Sequence, residues 1–159
     1  MILYHGSNVE VTEPRLLRIQ RDLDFGKGFY TTSDFEQAKS WALRTVRIRN
    51  AGSALVSCYE IDDISLSKLN ILRFDKADVA WLEFVAANRK GNVSENDYDL
   101  IIGPVANDQT YPTILLYLDG YLDAESTIRQ LLPQKLKDQW TFKTDWSLSF
   151  LKCREIKQV

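Results

Sequence analysis

The sequence predicts an α+β fold, built as one domain over residues 1–159. Runs with strand composition and runs with helical periodicity are interspersed along the chain, but the strands are short and the alternation is irregular. The Gly26-Lys27-Gly28 segment lacks both the Walker and the dinucleotide-binding spacing, which disfavours a doubly wound α/β sheet. The 159 residues are 45% hydrophobic, enough for one core, and no repeat or linker marks a second domain.

The N-terminal part is predicted to contain two short strands separated by an irregular segment. Residues 2–4 are apolar, with β-branched and aromatic members, and form a strand that ends at His5. Residues 8–25 show no sustained periodicity and are predicted to form a loop or a short helical turn. Residues 29–32 have strand composition again.

A long helix is predicted to follow. The segment Ser33-Asp34-Phe35-Glu36 has the pattern of a capping box, in which Ser33 and Glu36 satisfy free amide groups of the first turn. Apolar residues then recur at three-to-four spacing from Phe35 to Val46, as on a buried helical face. Gly52 is predicted to close this segment.

The rest of the chain continues the mixed pattern. Strands are predicted over 54–61, 69–74, 98–105, 138–144 and 154–159, and helices over 75–90, 111–118, 123–132 and 145–151.

Charge and cysteine content exclude several classes of protein. Twenty Lys and Arg residues against 22 Asp and Glu residues give a net charge of −2, which disfavours non-specific nucleic-acid binding. Cys58 and Cys153 have no partners at metal-ligand spacing, so neither a zinc site nor a disulfide framework is expected. The apolar start of the chain is too short for a signal peptide, and no run reaches the length of a membrane helix. We therefore expect a cytoplasmic protein that makes no membrane contact.

Three residues are candidates for chemistry. His5 is the only histidine, and it precedes Gly6-Ser7, where a flexible backbone lets a ligand approach closely. Tyr30 follows two glycines, and Trp41 lies on the predicted helix. Taken alone, a surface histidine and two core aromatic residues would be the ordinary interpretation.

Their combination and order resemble the catalytic domain of ADP-ribosyltransferases, in the poly(ADP-ribose) polymerase-like and diphtheria-toxin-like branch. Members carry His-Gly-Ser, then Gly-Lys-Gly-Ile-Tyr, then a helix with a second stacking aromatic residue. Over nearly its full length, the chain also resembles the bacterial DUF3990 group of ADP-ribosyltransferase-like domains. Three segments carry that resemblance, at residues 24–32, 98–108 and 138–144. It implies a split pair of small antiparallel sheets, with NAD between them.

The resemblance also implies roles for individual residues. His5 would hydrogen-bond the ribose next to nicotinamide, and the backbone of Gly6 would meet the carboxamide. Tyr30 and Trp41 would stack on the two faces of the nicotinamide ring. Gln139 stands at the third catalytic position. NAD-binding residues are therefore predicted at His5, Gly6, Ser7, Arg18, Tyr30 and Trp41, catalytic residues at His5, Tyr30 and Gln139, and no metal is needed.

Two positions depart from the family pattern. Gln139 replaces a glutamate, which keeps a hydrogen bond but removes a negative charge, and either a nearby acid such as Asp138 or the acceptor itself could compensate. Ala38 replaces a serine that bonds the carboxamide, for which Ser7 or Ser40 could substitute.

Several other polar residues could either serve the structure of the helices and loops or contact NAD and the acceptor. Asn88 and Arg89 are expected to serve as helix-capping and dipole partners. Arginines before the Gly-Lys-Gly segment could contact the NAD pyrophosphate, and Asn107-Asp108 could line the acceptor side of the cleft. The arginines are Arg15, Arg18 and Arg21.

The expected function is therefore NAD-dependent transfer of ADP-ribose to a macromolecular acceptor, protein or nucleic acid. By analogy, such a domain belongs to a bacterial toxin or defence effector, with an antitoxin protein as a partner. Two alternatives remain. One is a catalytically silent NAD- or ADP-ribose-binding module, which Gln139 favours. The other is an NAD glycohydrolase, with water as the acceptor.

Overall fold

The computed structural model describes residues 1–18, 23–91, 97–106, 110–133 and 135–159. In these ranges it has the predicted α+β character, with two small sheets. The strands are β1 (Ile2–Ser7), β2 (Phe29–Thr31), β3 (Leu55–Glu60), β4 (Ile71–Arg73), β5 (Leu100–Pro104), β6 (Asp138–Phe142) and β7 (Lys152–Gln158). The helices are α1 (Phe35–Arg49), α2 (Asp63–Leu66), α3 (Val79–Arg89), α4 (Tyr111–Leu118), α5 (Ala124–Leu131) and α6 (Asp145–Leu148).

The first sheet has the order β1-β3-β7 and is antiparallel. Strand β1 pairs with β3 from Ile2, opposite Glu60, to Ser7, opposite Leu55. The strand therefore does not end at His5, as the composition of residues 2–4 predicts, because pairing with β3 keeps the chain extended through Gly6.

The second sheet has the order β2-β6-β5-β4 and is mixed. Strands β2, β6 and β5 pair antiparallel, whereas β4 runs parallel to β5. The expectation of two antiparallel sheets is wrong in this respect. A parallel neighbour needs a crossover connection, and the chain between β4 and β5 contains α3.

Helix α1 covers one face of the first sheet. Ala38 and Ala42 are completely buried there, together with Val56 of β3. The ring of Tyr4 packs edge-on against Phe35, with ring centroids 5.4 Å apart. The small alanines let the helix backbone approach the strand closely.

The predicted capping box at the start of α1 is displaced by one residue. Asp34, rather than Ser33, is the N-cap, and its carboxylate accepts from the amide of Gln37 at 2.8 Å. The helix ends before Asn50, which adopts a left-handed conformation, and so stops short of Gly52. Both Ser33 and Asp34 are good N-cap residues, and the amide of Ser33 is bound by Asp138 instead.

The remaining predicted helices are present, but α3 begins at Val79 rather than at 75 and α6 ends at Leu148 rather than at 151. Helix α4 has the predicted bounds, and α3 and α5 begin after the N-caps Asp78 and Asp123. Helix α2 has four residues and was not predicted, because so short a run shows no apolar periodicity. The longest described helix has 15 residues, and none in that part of the chain has the length and apolar character needed to span a membrane.

Candidate functional site

Among the described residues, one isolated backbone bridge joins the two sheets, and beyond it β1 and β2 diverge. Tyr4 N donates to Thr32 O at 2.8 Å, and Thr32 N donates to Tyr4 O at 3.0 Å. The pairing does not continue, since Tyr4–Thr32 is an isolated bridge. We call the place where β1 and β2 separate, bounded by Gly6 and Tyr30, the fork.

The imidazole of His5 holds the fork open. In a continuing antiparallel ladder, the carbonyl of Tyr30 would accept from the amide of Gly6. That carbonyl instead binds His5 Nδ1, at 2.7 Å. A side chain thus takes the place of the next backbone hydrogen bond.

The backbone of Gly6 consequently faces the fork. Along β1, odd-numbered residues bond to β3, as the Ile61 N to Met1 O bond of 3.1 Å shows, so Tyr4 and Gly6 turn their polar groups the other way. Tyr4 binds Thr32, whereas the N–H and C=O of Gly6 have no partner among the described residues. The fork therefore offers one backbone donor beside one backbone acceptor.

Gly6 is required by the packing of α1. A Cβ atom at this position would lie 1.9 Å from the carbonyl oxygen of Ala38 and 2.8 Å from the amide nitrogen of Ala42. Helix packing therefore explains this glycine without any ligand.

Trp41 lies on the same turn of α1, is half-buried, and belongs to none of the three clusters of buried apolar residues formed by the described chain.

His5 is held in one tautomer. Because the carbonyl of Tyr30 can only accept, Nδ1 carries the proton and Nε2 of the neutral ring is an acceptor. Burial lowers the pKa of His5 below its ordinary value of 6.5, although the bond to Tyr30 opposes that shift. The ring stacks on Phe29 at 4.3 Å between centroids. At neutral pH, His5 therefore presents an unprotonated nitrogen suited to a hydroxyl donor.

Tyr30 is fixed through its hydroxyl. The hydroxyl donates to Gly26 O at 2.6 Å and accepts from Phe25 N at 3.1 Å. Burial, reinforced by the nearby carboxylate of Asp24, raises the pKa of Tyr30. The phenol is therefore neutral, and its role is to position the ring.

Residues 24–26, which we call the Asp24 turn, connect the three sequence segments that carry the family resemblance. Asp24 Oδ2 accepts from Ala106 N at 2.9 Å and from Gln139 Nε2 at 3.1 Å. Lys143 Nζ donates to Phe25 O at 2.7 Å. Segments 24–32, 98–108 and 138–144 thus converge through direct hydrogen bonds, and Phe25, completely buried, anchors the turn in the core.

The third predicted catalytic residue, Gln139, is only 2% exposed. Its Nε2 also donates to Pro104 O, at 3.2 Å. On β6, Gln139 lies on the same face as Thr141, which pairs with Tyr30 of β2. The structure therefore brings Tyr30 and Gln139 to one face of the second sheet, next to the Asp24 turn.

His5 is not on that face. Phe29 and Tyr30 are consecutive in β2 and point to opposite sides, and the imidazole stacks on Phe29. The link between His5 and Tyr30 is the main-chain carbonyl. The three predicted catalytic residues therefore surround the fork from two sides, instead of forming one side-chain cluster.

Asp138 does not assist Gln139, contrary to the suggested compensation. Neighbouring strand residues point to opposite faces, and the carboxylate of Asp138 accepts from Thr32 Oγ1, Ser33 N and Trp140 Nε1. The acid that contacts Gln139 is Asp24. The sequence contained one signal for it, because Asp24 is the first residue of the 24–32 segment.

Arg89 lies in the last turn of α3, as expected of a partner for the helix dipole, and it makes two further contacts. Its guanidinium forms an ion pair with Asp24 Oδ1, with Nε at 2.7 Å, and lies 4.3 Å from the ring centroid of Tyr111. Asn88, in contrast, does not cap the helix. It donates to Phe84 O one turn earlier, at 2.9 Å, and its Oδ1 abuts Gly26.

The remaining candidates lie at the margins. Arg18 is exposed, and Arg15 pairs with Glu13 at the surface. Ser7 is buried and its Oγ accepts from Val9 N at 3.4 Å, while exposed Ser40 donates to Glu36 O. Three further candidates lie outside the described residues: Arg21, Asn107 and Asp108. The part of the chain that the structure describes contains no group of three or more side chains able to hold a metal ion.

The model of a family described as "Protein of unknown function (DUF3990)" matches residues 1–153. No curated protein and no solved structure matches the chain.

Proposed function

Because the chain belongs to the DUF3990 family, whose model spans residues 1–153, and has an open fork at its sheet junction, we propose that it is an NAD-dependent ADP-ribosyltransferase. It would cleave the bond between nicotinamide and ribose and pass ADP-ribose to a macromolecular acceptor. The observation that carries the proposal is the fork, where His5 takes the carbonyl of Tyr30 and leaves the backbone of Gly6 exposed to a ligand.

The donor set of the fork fits the nicotinamide end of NAD. A carboxamide has one acceptor oxygen and an NH2 donor, which complement the N–H and C=O of Gly6. Trp41, on the helical turn that covers Gly6, and Tyr30 supply aromatic faces for the ring. Each such contact with a cationic ring contributes about 1–2 kcal/mol when it is desolvated.

The chain's other polar groups suit the ribose. His5 Nε2 accepts from a hydroxyl, and its neutral state at pH 7 follows from burial of the ring. Gln139 offers its carbonyl oxygen, since both of its N–H groups bind other acceptors. NAD, when bound, supplies the ADP-ribosyl group and a nicotinamide leaving group. The acceptor, and an antitoxin partner, remain predictions.

A catalytically silent NAD-binding module is the second candidate. One observation favours it: the residue at the glutamate position is a buried amide that carries no charge. Loss of one preorganised electrostatic contact lowers a reaction rate by about 10²–10³-fold. A weakly active enzyme could still function at that rate, and a binding module needs no catalytic rate at all.

The decisive experiment uses NAD labelled separately in nicotinamide and in the phosphates, incubated with the purified chain and a cell lysate. Transfer of phosphate label to macromolecules, together with nicotinamide release, supports the transferase. Release with free ADP-ribose alone indicates a glycohydrolase, and binding without release indicates the module.

Three variants test the fork itself. His5→Asn keeps a donor near the position of Nδ1, for the Tyr30 carbonyl, but removes Nε2, so nicotinamide release should fall by about 10²-fold or more while the fold survives. Trp41→Ala should weaken NAD binding about tenfold, whereas Trp146→Ala, at a 55% exposed tryptophan on α6, should not. Equal NAD affinity in both tryptophan variants would contradict the proposed nicotinamide site.

A further inference from the structure

The glutamine at position 139 is held in a single orientation by two acceptors. Asp24 Oδ2 and the carbonyl of Pro104 both lie within hydrogen-bond distance of Nε2, at 3.1 and 3.2 Å. Neither group can donate, so an exchange of the amide nitrogen and oxygen would place three acceptors together. The amide nitrogen must therefore face Asp24, and Oε1 must point away from it.

Asp24 is itself held firmly. Its side chain is 4% exposed. Oδ1 binds the guanidinium of Arg89, and Oδ2 accepts from the amide of Ala106 as well as from Gln139. A buried carboxylate with this many charge-assisted partners cannot reorient, so its bond to Gln139 has a fixed direction.

We propose that Asp24 is the positioning residue of this site, fixing and polarising the Gln139 amide so that Oε1 becomes the acceptor for a ribose hydroxyl of NAD. The inference rests on the proposed function. Hydrogen bonding from an amide N–H to a carboxylate increases the negative charge on the amide oxygen. The bond to Asp24, whose carboxylate is paired with Arg89, thus makes Oε1 a stronger acceptor without supplying the full charge that a glutamate would carry at position 139.

This arrangement explains why glutamine suits position 139. A glutamate there would set its carboxylate against Asp24 and against the Pro104 carbonyl, with no donor for either. Glutamine satisfies both acceptors and leaves its amide oxygen on the side away from Asp24. The glutamine at position 139 and the buried carboxylate of Asp24 therefore depend on each other.

The test measures kcat and KM for nicotinamide release in four forms of the full chain: unaltered, Asp24→Asn, Gln139→Ala, and the double variant. We expect Asp24→Asn to lower kcat by about 10–100-fold, as loss of an orienting partner does, with KM changed less than about twofold. In the Gln139→Ala background, Asp24→Asn should have no further effect on kcat. Asp99→Asn is the matched control, because Asp99 also anchors a hydroxyl and an amide, Thr144 Oγ1 and Asn70 N, but does not contact Gln139.

A second readout is independent of turnover. In the unaltered chain labelled with ¹⁵N-glutamine, the two Nε2 protons of Gln139 should exchange with water more slowly than those of Gln37, which is half-buried and donates to Asp138 O. The Asp24→Asn variant should lose that protection. If the Asp24→Asn variant does not fold, the difference in exchange rate between Gln139 and Gln37 in the unaltered chain tests the inference instead.

The outcomes separate the two claims. Equal kcat per folded molecule in Asp24→Asn and in the unaltered chain overturns this inference alone, as do additive effects in the double variant or rapid exchange of the Gln139 amide. Absence of nicotinamide release from the unaltered chain overturns the proposed function, and the role of Asp24 toward ribose with it.

Discussion

Replacing Gln139 with glutamate should destabilise this protein. The substitution Gln139→Glu places a carboxyl oxygen where Nε2 now lies, 3.1 Å from Asp24 Oδ2, at a site that is 2% exposed. Two full charges at that separation repel by about 5 kcal/mol at an effective dielectric constant of about 20. The introduced carboxyl therefore keeps its proton in the folded state, and its pKa rises.

The loss of stability, and its dependence on pH, follow from the free energy needed to keep this carboxyl protonated. An unfolded glutamate titrates near pH 4.3, and each unit of pKa shift is worth about 1.4 kcal/mol, so holding the proton at pH 7 costs up to about 4 kcal/mol. Because the pKa is raised in the folded state, the loss begins as pH rises above about 4.3 and grows until the folded pKa is reached. The variant should therefore approach the unaltered chain in stability at pH 4.5 and fall well below it at pH 7.5.

Urea unfolding at several pH values between 4.5 and 7.5 measures this effect. Gln130→Glu, at an exposed position of α5, controls for the added charge and should follow the unaltered chain throughout. If the free energy of unfolding of Gln139→Glu differs from that of the unaltered chain by a constant amount across this range, the described contact between Asp24 and Gln139 does not exist in solution.

Three further predictions test the fork. Since His5 is the only histidine and its folded pKa is lowered, the unaltered chain should lose stability relative to His5→Asn as pH falls below about 6.5; parallel unfolding curves from pH 7 to 5 would contradict this. Gly6→Ala should lower the free energy of unfolding by about 3 kcal/mol. Gly120→Ala, where the φ angle is positive but no atom lies near the added Cβ, should lower it by only about 1–2 kcal/mol, and calorimetry measures the difference. Tyr30→Phe leaves the Gly26 carbonyl and Phe25 amide without their described partner and should cost about 1–3 kcal/mol in chemical unfolding, a value near zero being the contrary result.

The elements were predictable wherever the local pattern was strong. The apolar run at 111–118 predicted α4 with its observed bounds, because periodicity and a proline in the first turn act within one helix. The N-cap of α1 was misplaced by one residue, since Ser33 and Asp34 are equally good caps and only the contact of Ser33 with Asp138 decides between them. The extension of β1 through Ser7 and the parallel orientation of β4 depend on pairing partners in other parts of the chain.

The candidate site shows the same division. Motif order alone indicated His5, Gly6, Tyr30 and Gln139, but it suggested Asp138 as the assisting acid. Because side chains alternate along β6, Asp138 points away from Gln139, and the carboxylate that contacts Gln139 is that of Asp24, 115 residues away in the sequence.

The amino-acid sequence by itself determined the mixed α+β character and most of the elements, because residue preferences and periodicity act over a few neighbouring positions. The order of three sequence segments indicated the family to which the chain belongs. Only the tertiary structure decided that His5 interrupts the ladder between β1 and β2, that α1 requires a glycine at position 6, and that Asp24 orients Gln139. Each of those contacts joins segments far apart in the chain, and no local pattern specifies which distant surface a side chain will meet once the core is packed.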